Sequence, residues 1–434
     1  MKKKNLQIYF LILTAFMLAA QSAWAVYPPE PQSGGRFFPG KGTRAGAEYA
    51  EYVENSDDSS YARTENGNFD RQHYAKGLKL GIVQVRPSVG YTGEYDSNIF
   101  LKQSNRQDDY ISKLLGGVDA DVLMDGGKYI LTGGVQTKSE WFADHSSEDH
   151  TDWTYQLGGE IHLPKVDLTV HDDFRDTRDR TDSELTDRIN RYENRLDGLA
   201  TIPFGQFFSE TQATDFIVDF RDSTALQQFN RHEFSVYPRL GMNIGTKTQA
   251  LVEYGFTDIN YEKQDDRDGT AHQAQLGVRG FLGNADLFAY QLWGGWQFRH
   301  YDNGDLQSFD SFVGHGELTY RAGASTQLAF QVIRRPEESL DAGQTFYTRN
   351  EAAFQVKQQI AQQWYVTGRA GAGFNHYSND RLDFLWEPSV GLEYVLPGKI
   401  LALFTEYKFS ARESDASNRD YNRHIANFGI KAEV

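Results

Sequence analysis

Residues 128–141 read KYILTGGVQTKSEW, and two kinds of side chain alternate along them. The apolar set is Tyr129, Leu131, Gly133, Val135 and Trp141, and the polar set is Lys128, Thr132, Gln136, Lys138 and Glu140. Successive side chains of a β-strand point to opposite faces, so this period of two predicts a strand with one apolar and one polar face. The stretch is also longer than the usual soluble strand of about five or six residues, and it is long enough for a tilted crossing of a bilayer.

The same alternation returns roughly every twenty residues from Leu80 to the end of the chain, for example over 153–162, 288–299, 364–375 and 384–394. Aromatic residues stand near the strand ends on the apolar face, as Tyr129 and Trp141 do. This is where an outer-membrane barrel carries its interfacial girdles. The alternation is least regular over 207–220, where Glu210 interrupts the apolar face.

The predicted connections between strands alternate between short and long. Short ones are expected at 125–127, 163–165, 245–248, 283–286, 361–363 and 397–399, and long polar ones at 97–108, 143–152, 176–191, 261–269, 301–308, 335–344, 376–381 and 411–421. Short periplasmic turns and longer external loops are the rule for membrane barrels. We therefore predict an all-β fold: a transmembrane, antiparallel, up-and-down β-barrel of about 16–18 strands, with 18 the count obtained, spanning residues 80–434 in the cell outer membrane.

The segment before the barrel has a different character. Lys2 to Lys4 are followed by the apolar run Leu6–Ala20 and by Ala23-Trp24-Ala25, the pattern of a cleavable signal peptide over residues 1–25. An uncleaved anchor helix is the alternative. Residues 26–79 contain several prolines, glycines and polar residues without sustained periodicity, which predicts a disordered periplasmic leader. A plug that folds back into the barrel is the alternative for this leader.

The composition excludes several classes of function. The 434 residues have a net charge of −16, which argues against nucleic acid as a partner, since phosphate binding needs a basic face. The chain has no cysteine, so it has no disulfide, no thiolate metal ligand and no lipidated cysteine. We predict no cofactor and no bound metal: the acidic loops lack the EF-hand spacing, and solvation explains them, with divalent bridging to lipopolysaccharide as the alternative.

The polar faces of the predicted strands supply the candidate functional residues. Both signs of charge are present among the predicted pore-lining residues, which are Arg175, Arg195, Arg279, Arg299, Arg321, Lys357, Arg369, Glu140, Glu160, Glu253, Glu317, Glu351, Glu387 and Glu393. They either fill the lumen with paired side chains or line a polar passage for solutes. Motifs of hydrolases, metalloproteases and phosphate-binding loops are absent, so no enzyme is predicted. The triplets His171-Asp172-Asp173 and Arg231-His232-Glu233 are the nearest to catalytic clusters.

Residues 85–100, VRPSVGYTGEYDSNIF, carry a resemblance to a known family. A first strand with proline near its start, followed by Tyr-Asp-Ser-Asn-Ile-Phe at the first loop, resembles the putative β-barrel porin 2 family. Asp96 and Asn98 are the matching polar positions, and turn chemistry alone would also explain them. Members of that family occur with exopolysaccharide biosynthesis and export systems, so the resemblance implies such a role and implies no site residues.

Three functions follow as expectations. The first is help in exporting or assembling an exopolysaccharide, with lipid, lipopolysaccharide, the polysaccharide and periplasmic export components as partners. The second is a general or solute-selective diffusion porin, which a constriction loop folded into the barrel would favour. The longest candidate for such a loop is 176–191. The third is a structural or adhesive surface barrel with a closed lumen.

Overall fold

The fold is a single closed β-barrel, seen in a computed structural model. The structure describes residues 77–434 except 181–183, 185, 222, 224, 283–286, 323–324, 342 and 398–399. The predicted signal peptide and all but the last residues of the predicted leader lie outside the described residues. Within the described part of the chain, no helix is long and apolar enough to cross a membrane.

Nineteen strands alternate direction along the chain. Their bounds are β1 Leu78–Leu80, β2 Val83–Asp96, β3 Asp109–Met124, β4 Tyr129–Phe142, β5 His150–Leu163, β6 Val166–Thr177, β7 Arg191–Phe204, β8 Phe207–Phe220, β9 Arg231–Ile244, β10 Thr248–Tyr261, β11 Gly269–Leu282, β12 Phe288–Tyr301, β13 Phe309–Ala322, β14 Thr326–Glu338, β15 Phe346–Ala361, β16 Trp364–Tyr377, β17 Leu382–Val395, β18 Leu401–Ser414 and β19 Tyr421–Glu433. Among the described residues, four single-turn 3-10 helices lie between these strands, at Asp125–Gly127, Ser146–Glu148, Gln227–Phe229 and Asp265–Arg267.

The barrel closes because the last strand pairs with the first long one. Each strand from β2 to β18 is antiparallel to the next, and β19 pairs with β2 from Ile425↔Asp96 to Glu433↔Ser88. Setting aside the short β1, the wall therefore has 18 strands, as predicted. Strand β1 pairs with residues 83–85 of β2 and continues the edge of the wall below the end of β19.

The two faces of the wall differ in chemistry. Outward side chains are largely apolar and exposed, such as Leu276, Phe428 and Trp296, whereas many inward side chains are polar and buried. Ring pairs mark both rims: Phe288 with Tyr320 near the short turns and Trp386 with Phe409 near the long loops, with ring centroids 4.7 and 4.8 Å apart. In hydrocarbon every backbone polar group needs an internal partner, and a closed sheet provides one.

The connections alternate in length, but their boundaries correct several predicted ones. The observed long loops are 97–108, 143–149, 178–190, 221–230, 262–268, 302–308, 339–345, 378–381 and 415–420. The predicted loops 143–152, 176–191, 335–344, 376–381 and 411–421 were too wide, because strands β5, β6, β14, β16 and β18 extend into them. At the end of β14, for example, Arg335 and Glu337 point into the barrel and pair with each other there. The loop 221–230 was missed.

Candidate functional site

All fourteen predicted pore-lining residues occupy inward positions. The strand register shows this, because cross-strand partners lie on the same face of the wall: Arg369 is opposite Ser389, Glu351 is opposite Gly373, and Arg279 is opposite Gln249. One member of each pair is an even number of positions from buried polar residues of its own strand, so all three pairs lie on the buried polar face. Register fixes only the side of the wall, so a role in lining an open passage stays a prediction.

The partners of these residues are mostly residues that the alternation did not single out. Arg369 and Glu351 belong to the predicted set and lie 3.3 Å apart. Most of the other predicted residues have a partner that does not belong to the predicted set. The ion pairs are Arg279 with Glu210 at 2.5 Å, Glu253 with Arg239 at 2.5 Å, Glu393 with Lys431 at 2.9 Å, Glu387 with Lys408 at 3.6 Å, Glu160 with His162 at 2.9 Å, Glu140 with Lys113 at 3.2 Å, Arg195 with Asp197 at 2.8 Å, Arg175 with Asp173 at 3.7 Å, and Arg299 with Glu338. Glu317 accepts a hydrogen bond from Gln291 at 3.1 Å. Arg321 lies on the same face, opposite Gln327. The Lys357 ammonium lies 5.8 Å from the ring centre of Tyr365.

Part of this network of ion pairs follows a sequence pattern, Arg-x-acid, that could have been recognised in the sequence. Six arginines each pair with an acidic residue two positions later: Arg191–Glu193, Arg195–Asp197, Arg231–Glu233, Arg335–Glu337, Arg349–Glu351 and Arg381–Asp383. Residues two apart in a strand share a face, so the pattern Arg-x-acid places both charges side by side in the lumen. The lumen wall is therefore charged but largely compensated locally.

One network of buried charges lies near the short-turn end of strands β8 to β11. Arg239 reaches both Glu253 at 2.5 Å and Glu210 at 3.8 Å, and Arg279 donates to Glu210 and to Gln249 at 2.7 Å. All are at most 5% exposed. Buried charges at this depth need partners, because an unpaired one would cost several kcal/mol. This network holds β8 to β11 in one arrangement.

Strand β8 corrects the predicted interruption by Glu210. The face that carries Glu210 turns to the lumen, and there it joins Arg279 rather than breaking a lipid-facing surface. Phe216, Val218 and Phe220 share this inward face and form an apolar cluster with Phe229 of loop 221–230. The cluster also includes Leu226, Ile259, Tyr261 and Leu340, with Ile189 packed against it. Loop side chains therefore pack inside the barrel mouth.

The longest connection is loop 178–190, which we call the cross-lumen loop. Among its described residues, Arg180, Glu184 and Arg188 are buried inside this mouth. Arg180 and Arg188 both donate to the carbonyl oxygen of Ile99 in loop 97–108, the latter at 3.3 Å. The Arg188 guanidinium also lies 5.0 Å from the ring centre of Phe142. The cross-lumen loop is thus bound to loop 97–108, which lies four strands away along the wall.

The other contact of the cross-lumen loop lies nearly opposite on the rim. Glu184 accepts hydrogen bonds from the Ser339 hydroxyl and the Leu340 backbone N–H, both at 2.7 Å. These residues belong to loop 339–345, which we call the receiving loop. Eight strands separate the two loops one way around the wall, β7 to β14, and ten the other way. A contact between loops so far apart on the rim requires the chain to extend across the mouth.

The receiving loop is itself drawn inward by arginines from both sides. Arg267 donates to the carbonyl oxygens of Ser339, Gln344 and Thr345 at 2.6–3.1 Å. From the other side, Arg381 and Arg419 approach Asp341 at 3.4 and 2.5 Å. The inward position of this loop therefore rests on charged hydrogen bonds from three other loops.

Asp179 fixes the start of the cross-lumen loop to the wall. Its carboxylate accepts hydrogen bonds from the Lys138 ammonium of β4 at 2.7 and 2.8 Å. Burial acts to raise the pKa of the Asp179 carboxyl, but the Lys138 charge outweighs it, and the pKa is lowered overall. The charged form of this anchor is therefore favoured at neutral pH.

The two motif positions, Asp96 and Asn98, lie at the seam of the barrel rather than in a solvent-exposed turn. Asn98 donates from its backbone N–H to Asp96 at 2.9 Å, the turn chemistry expected of these residues. Its side-chain amide also donates to the carbonyl oxygen of Asn422 in β19 at 3.0 Å. Arg423 of β19 binds both carboxylate oxygens of Asp96. Both motif residues are fully buried and join the first and last barrel strands.

The two triplets nearest to catalytic clusters are split by the strand alternation. His171 and Asp173 point inward and Asp172 outward, where Asn194 donates to it at 2.8 Å. His232 likewise points outward to Asp215, at 2.5 Å, whereas Arg231 and Glu233 pair inside. Neither triplet converges on one point.

A closed barrel with an apolar outer belt, rims of aromatic rings and a charged interior defines an outer-membrane β-barrel of the porin type. The family model described as putative beta-barrel porin 2 matches residues 72–434. The chain therefore belongs to this family and to the outer membrane, and the resemblance predicted from residues 85–100 is confirmed. The family description names a porin and does not mention polysaccharide, so that implication stays a prediction.

Several solved structures share the barrel form at low identity. OccK2 (OpdF) of Pseudomonas aeruginosa in complex with glucuronate is 11% identical, with 82% of this chain and 100% of that chain covered and a TM-score of 0.49. OpdK of the same organism with vanillate is 9% identical (81% and 99% covered, TM-score 0.46), as is OccAB3 of Acinetobacter baumannii (82% and 100%, 0.46). None of the curated proteins compared with the chain matches it.

Proposed function

We propose that the protein is a diffusion porin for small polar solutes, and that the cross-lumen loop sets its aperture. The observation that carries this proposal is the pair of hydrogen bonds from Ser339 and Leu340 to Glu184, which hold that loop across the mouth. Barrels of 16–18 strands are wide enough for an aqueous channel. A loop held inside such a barrel narrows it to a size that sorts solutes.

The charges of the lumen support passage of small polar molecules without strong preference for one sign. Both signs line the wall, and most charges have an opposite charge within hydrogen-bonding reach, as Arg239 and Glu253 do. Paired rings of charge give a weaker field along the axis than rings of one sign would give. We therefore expect weak selectivity between small anions and cations.

Polysaccharide export and a closed adhesive barrel are the other functions considered. A polymer has to pass the same mouth as a small solute, and the cross-lumen loop narrows that mouth. A closed barrel would conduct no ions at all. One electrical experiment therefore separates the three functions.

The test is single-channel conductance of the purified, refolded protein in a planar bilayer, for the full mature chain and for a variant without residues 26–77. A steady conductance in both forms that small sugars reduce and a long polysaccharide leaves unchanged is the result expected of a diffusion porin. Block by the polysaccharide at low concentration would instead favour export. No conductance in either form would overturn the proposal, and conductance only after truncation would identify the leader as a plug.

A further inference from the structure

A cluster at the mouth of the barrel contains a buried ring nitrogen, Nε2 of His150, that makes no hydrogen bond among the described residues. His150 lies at the start of β5, and Oδ2 of the nearby Asp152 also makes no hydrogen bond among the described residues, although the Lys138 ammonium lies 3.2 Å from it. The His150 side chain is only 6% exposed, and its Nε2 lies 3.7 Å from Asp152 Oδ2 and 3.8 Å from Glu140 Oε2. His150 Nε2 therefore faces two carboxylate oxygens at distances that are too long for a hydrogen bond.

The remaining contacts of these side chains determine which atoms are left over. His150 Nδ1 lies 2.7 Å from the carbonyl oxygen of Glu148, which accepts only from an N–H, so Nδ1 is the donor and Nε2 is the nitrogen that carries the lone pair in the neutral ring. Asp152 Oδ1 accepts the backbone N–H of Arg178 at 2.8 Å, which leaves Oδ2. In the neutral ring the Nε2 lone pair faces two carboxylates, and a cation placed between them would attract all three groups.

This arrangement is the one that metal sites use. A metal-binding histidine commonly donates its other ring N–H to a backbone carbonyl, which fixes the tautomer and the ring orientation. Ligand atoms about 2.1 Å from a tetrahedral ion lie about 3.4 Å apart. The distances from His150 Nε2 to the two carboxylate oxygens exceed this value by only a few tenths of an ångström. Asp179 of the cross-lumen loop also has a carboxylate oxygen within 4.8 Å of the Glu140 and His150 ligand atoms.

We propose that Glu140, His150 and Asp152, with Asp179 in reach, form a binding site for a first-row divalent transition-metal ion such as Zn²⁺. Imidazole favours such ions over Mg²⁺ and Ca²⁺, which prefer oxygen ligands only. The site would join β4 and β5 of the wall to the cross-lumen loop, so metal binding would strengthen the attachment of that loop. This inference is independent of which solutes cross the barrel.

A built-in competitor limits the affinity of this site. The Lys138 ammonium lies 3.2 Å from Glu140 and from Asp152 and 2.7 Å from Asp179, so it already neutralises part of the negative charge. An incoming dication must share these carboxylates with it. Removal of the Lys138 charge should therefore tighten metal binding, which is a prediction that an adventitious surface site would not share.

His162 offers a matched control within the same strand. It also points inward between two carboxylates, but both of its ring nitrogens have partners, Asp167 and Glu160, at 2.9 Å. A histidine so satisfied has no lone pair available for a metal. The variants H150Q and H162Q therefore differ in this one property.

The experiment is calorimetric titration of the refolded, detergent-solubilised full chain with Zn²⁺ at pH 7, with heat-modifiable gel mobility to verify that each variant is folded. We expect one saturable site in the wild type and in H162Q, at least tenfold weaker binding in H150Q, and at least tenfold tighter binding in K138M. The absence of a saturable site in the wild type, equal affinities of H150Q and the wild type, or a K138M variant that binds no more tightly would each overturn the proposal.

Discussion

Asp96 of β2 and Arg423 of β19 form a two-pronged ion pair across the seam of the barrel, with Arg423 Nη2 2.7 Å from Oδ2 and Nε 3.0 Å from Oδ1. The two residues are 327 positions apart in the chain, and both side chains are at most 5% exposed. Planar bidentate contacts of this kind add geometric specificity to their energy. The pair therefore fixes the register in which the barrel closes.

The seam pair predicts a large cost for its removal. Arg423→Ala leaves the Asp96 carboxylate buried and unpaired, and breaking such a pair costs about 3–5 kcal/mol. We expect the free energy of unfolding to fall by that amount in urea titrations of the refolded protein. Lys128→Ala is the control, since its pair with Asp125 at 3.7 Å is on an exposed turn and is worth about 0–1 kcal/mol. Equal losses in the two variants would contradict a special role of the seam.

The hydrogen bonds between Glu184 and the receiving loop predict a change in conductance when they are removed. Glu184→Ala removes the acceptor for Ser339 and Leu340, and hydrogen bonds to a charged group contribute about 1.5–3 kcal/mol each. The docked form of the cross-lumen loop should lose at least a factor of about ten in population. We expect a larger and noisier single-channel current. The variant Asp305→Ala, in an exposed loop, should conduct like the wild type; an unchanged current in E184A would disprove the bridge's control of the aperture.

The anchor at Asp179 predicts a dependence on pH. Its carboxyl pKa is lowered in the folded protein, so the anchor's contribution is fully present above the unfolded-state pKa and is lost as pH falls through the folded value. Currents should be steady at pH 7 and should fluctuate in the acidic range below the ordinary carboxyl pKa. Asp179→Asn should fluctuate at both pH values. Identical pH profiles for the variant and the wild type would rule out this anchor as the cause.

The alternation of faces predicts opposite results at neighbouring positions in mid-strand. Val332→Arg of β14 places a charge on the lipid-facing side, which costs about 2–4 kcal/mol at the bilayer midplane. Gln331→Arg, one residue earlier, points into the lumen opposite Glu317. We expect urea unfolding to detect the first change and a shift in reversal potential toward anion preference to detect the second. The reverse pattern would mean that the assigned faces are wrong.

The barrel and its inward residues could be predicted because side-chain direction in a strand is a local property. Arg369 and Glu351 could be placed on the polar face from their own strands alone. Their contact with each other depends on which strands are neighbours and in what register, and in an up-and-down barrel the neighbours follow the chain order. The family could be predicted from the residues around Asp96 and Asn98.

The rest depends on contacts between distant segments. The contact of Glu184 with Ser339 joins residues 155 apart, and no periodicity reports it. Strand ends were misjudged because charged residues such as those at 335–338 suggest a solvated loop, although in the lumen they are paired within a strand. Lys138 was placed on the polar face, but its three carboxylate contacts come from three separate elements.

The cross-lumen loop also has a mechanical consequence for the ring of strands. A hoop of 18 strands can be squeezed toward an ellipse, and the deformation would open its weakest joint first. The cross-lumen loop acts as a strut, because it connects the rim near β6 and β7 to the rim near β14 and β15 and also contacts the loop that follows β2. Such a connection resists compression of the barrel along one diameter. The segment that narrows the mouth therefore also keeps the rim round, so loss of the strut should make both the aperture and the seam less stable.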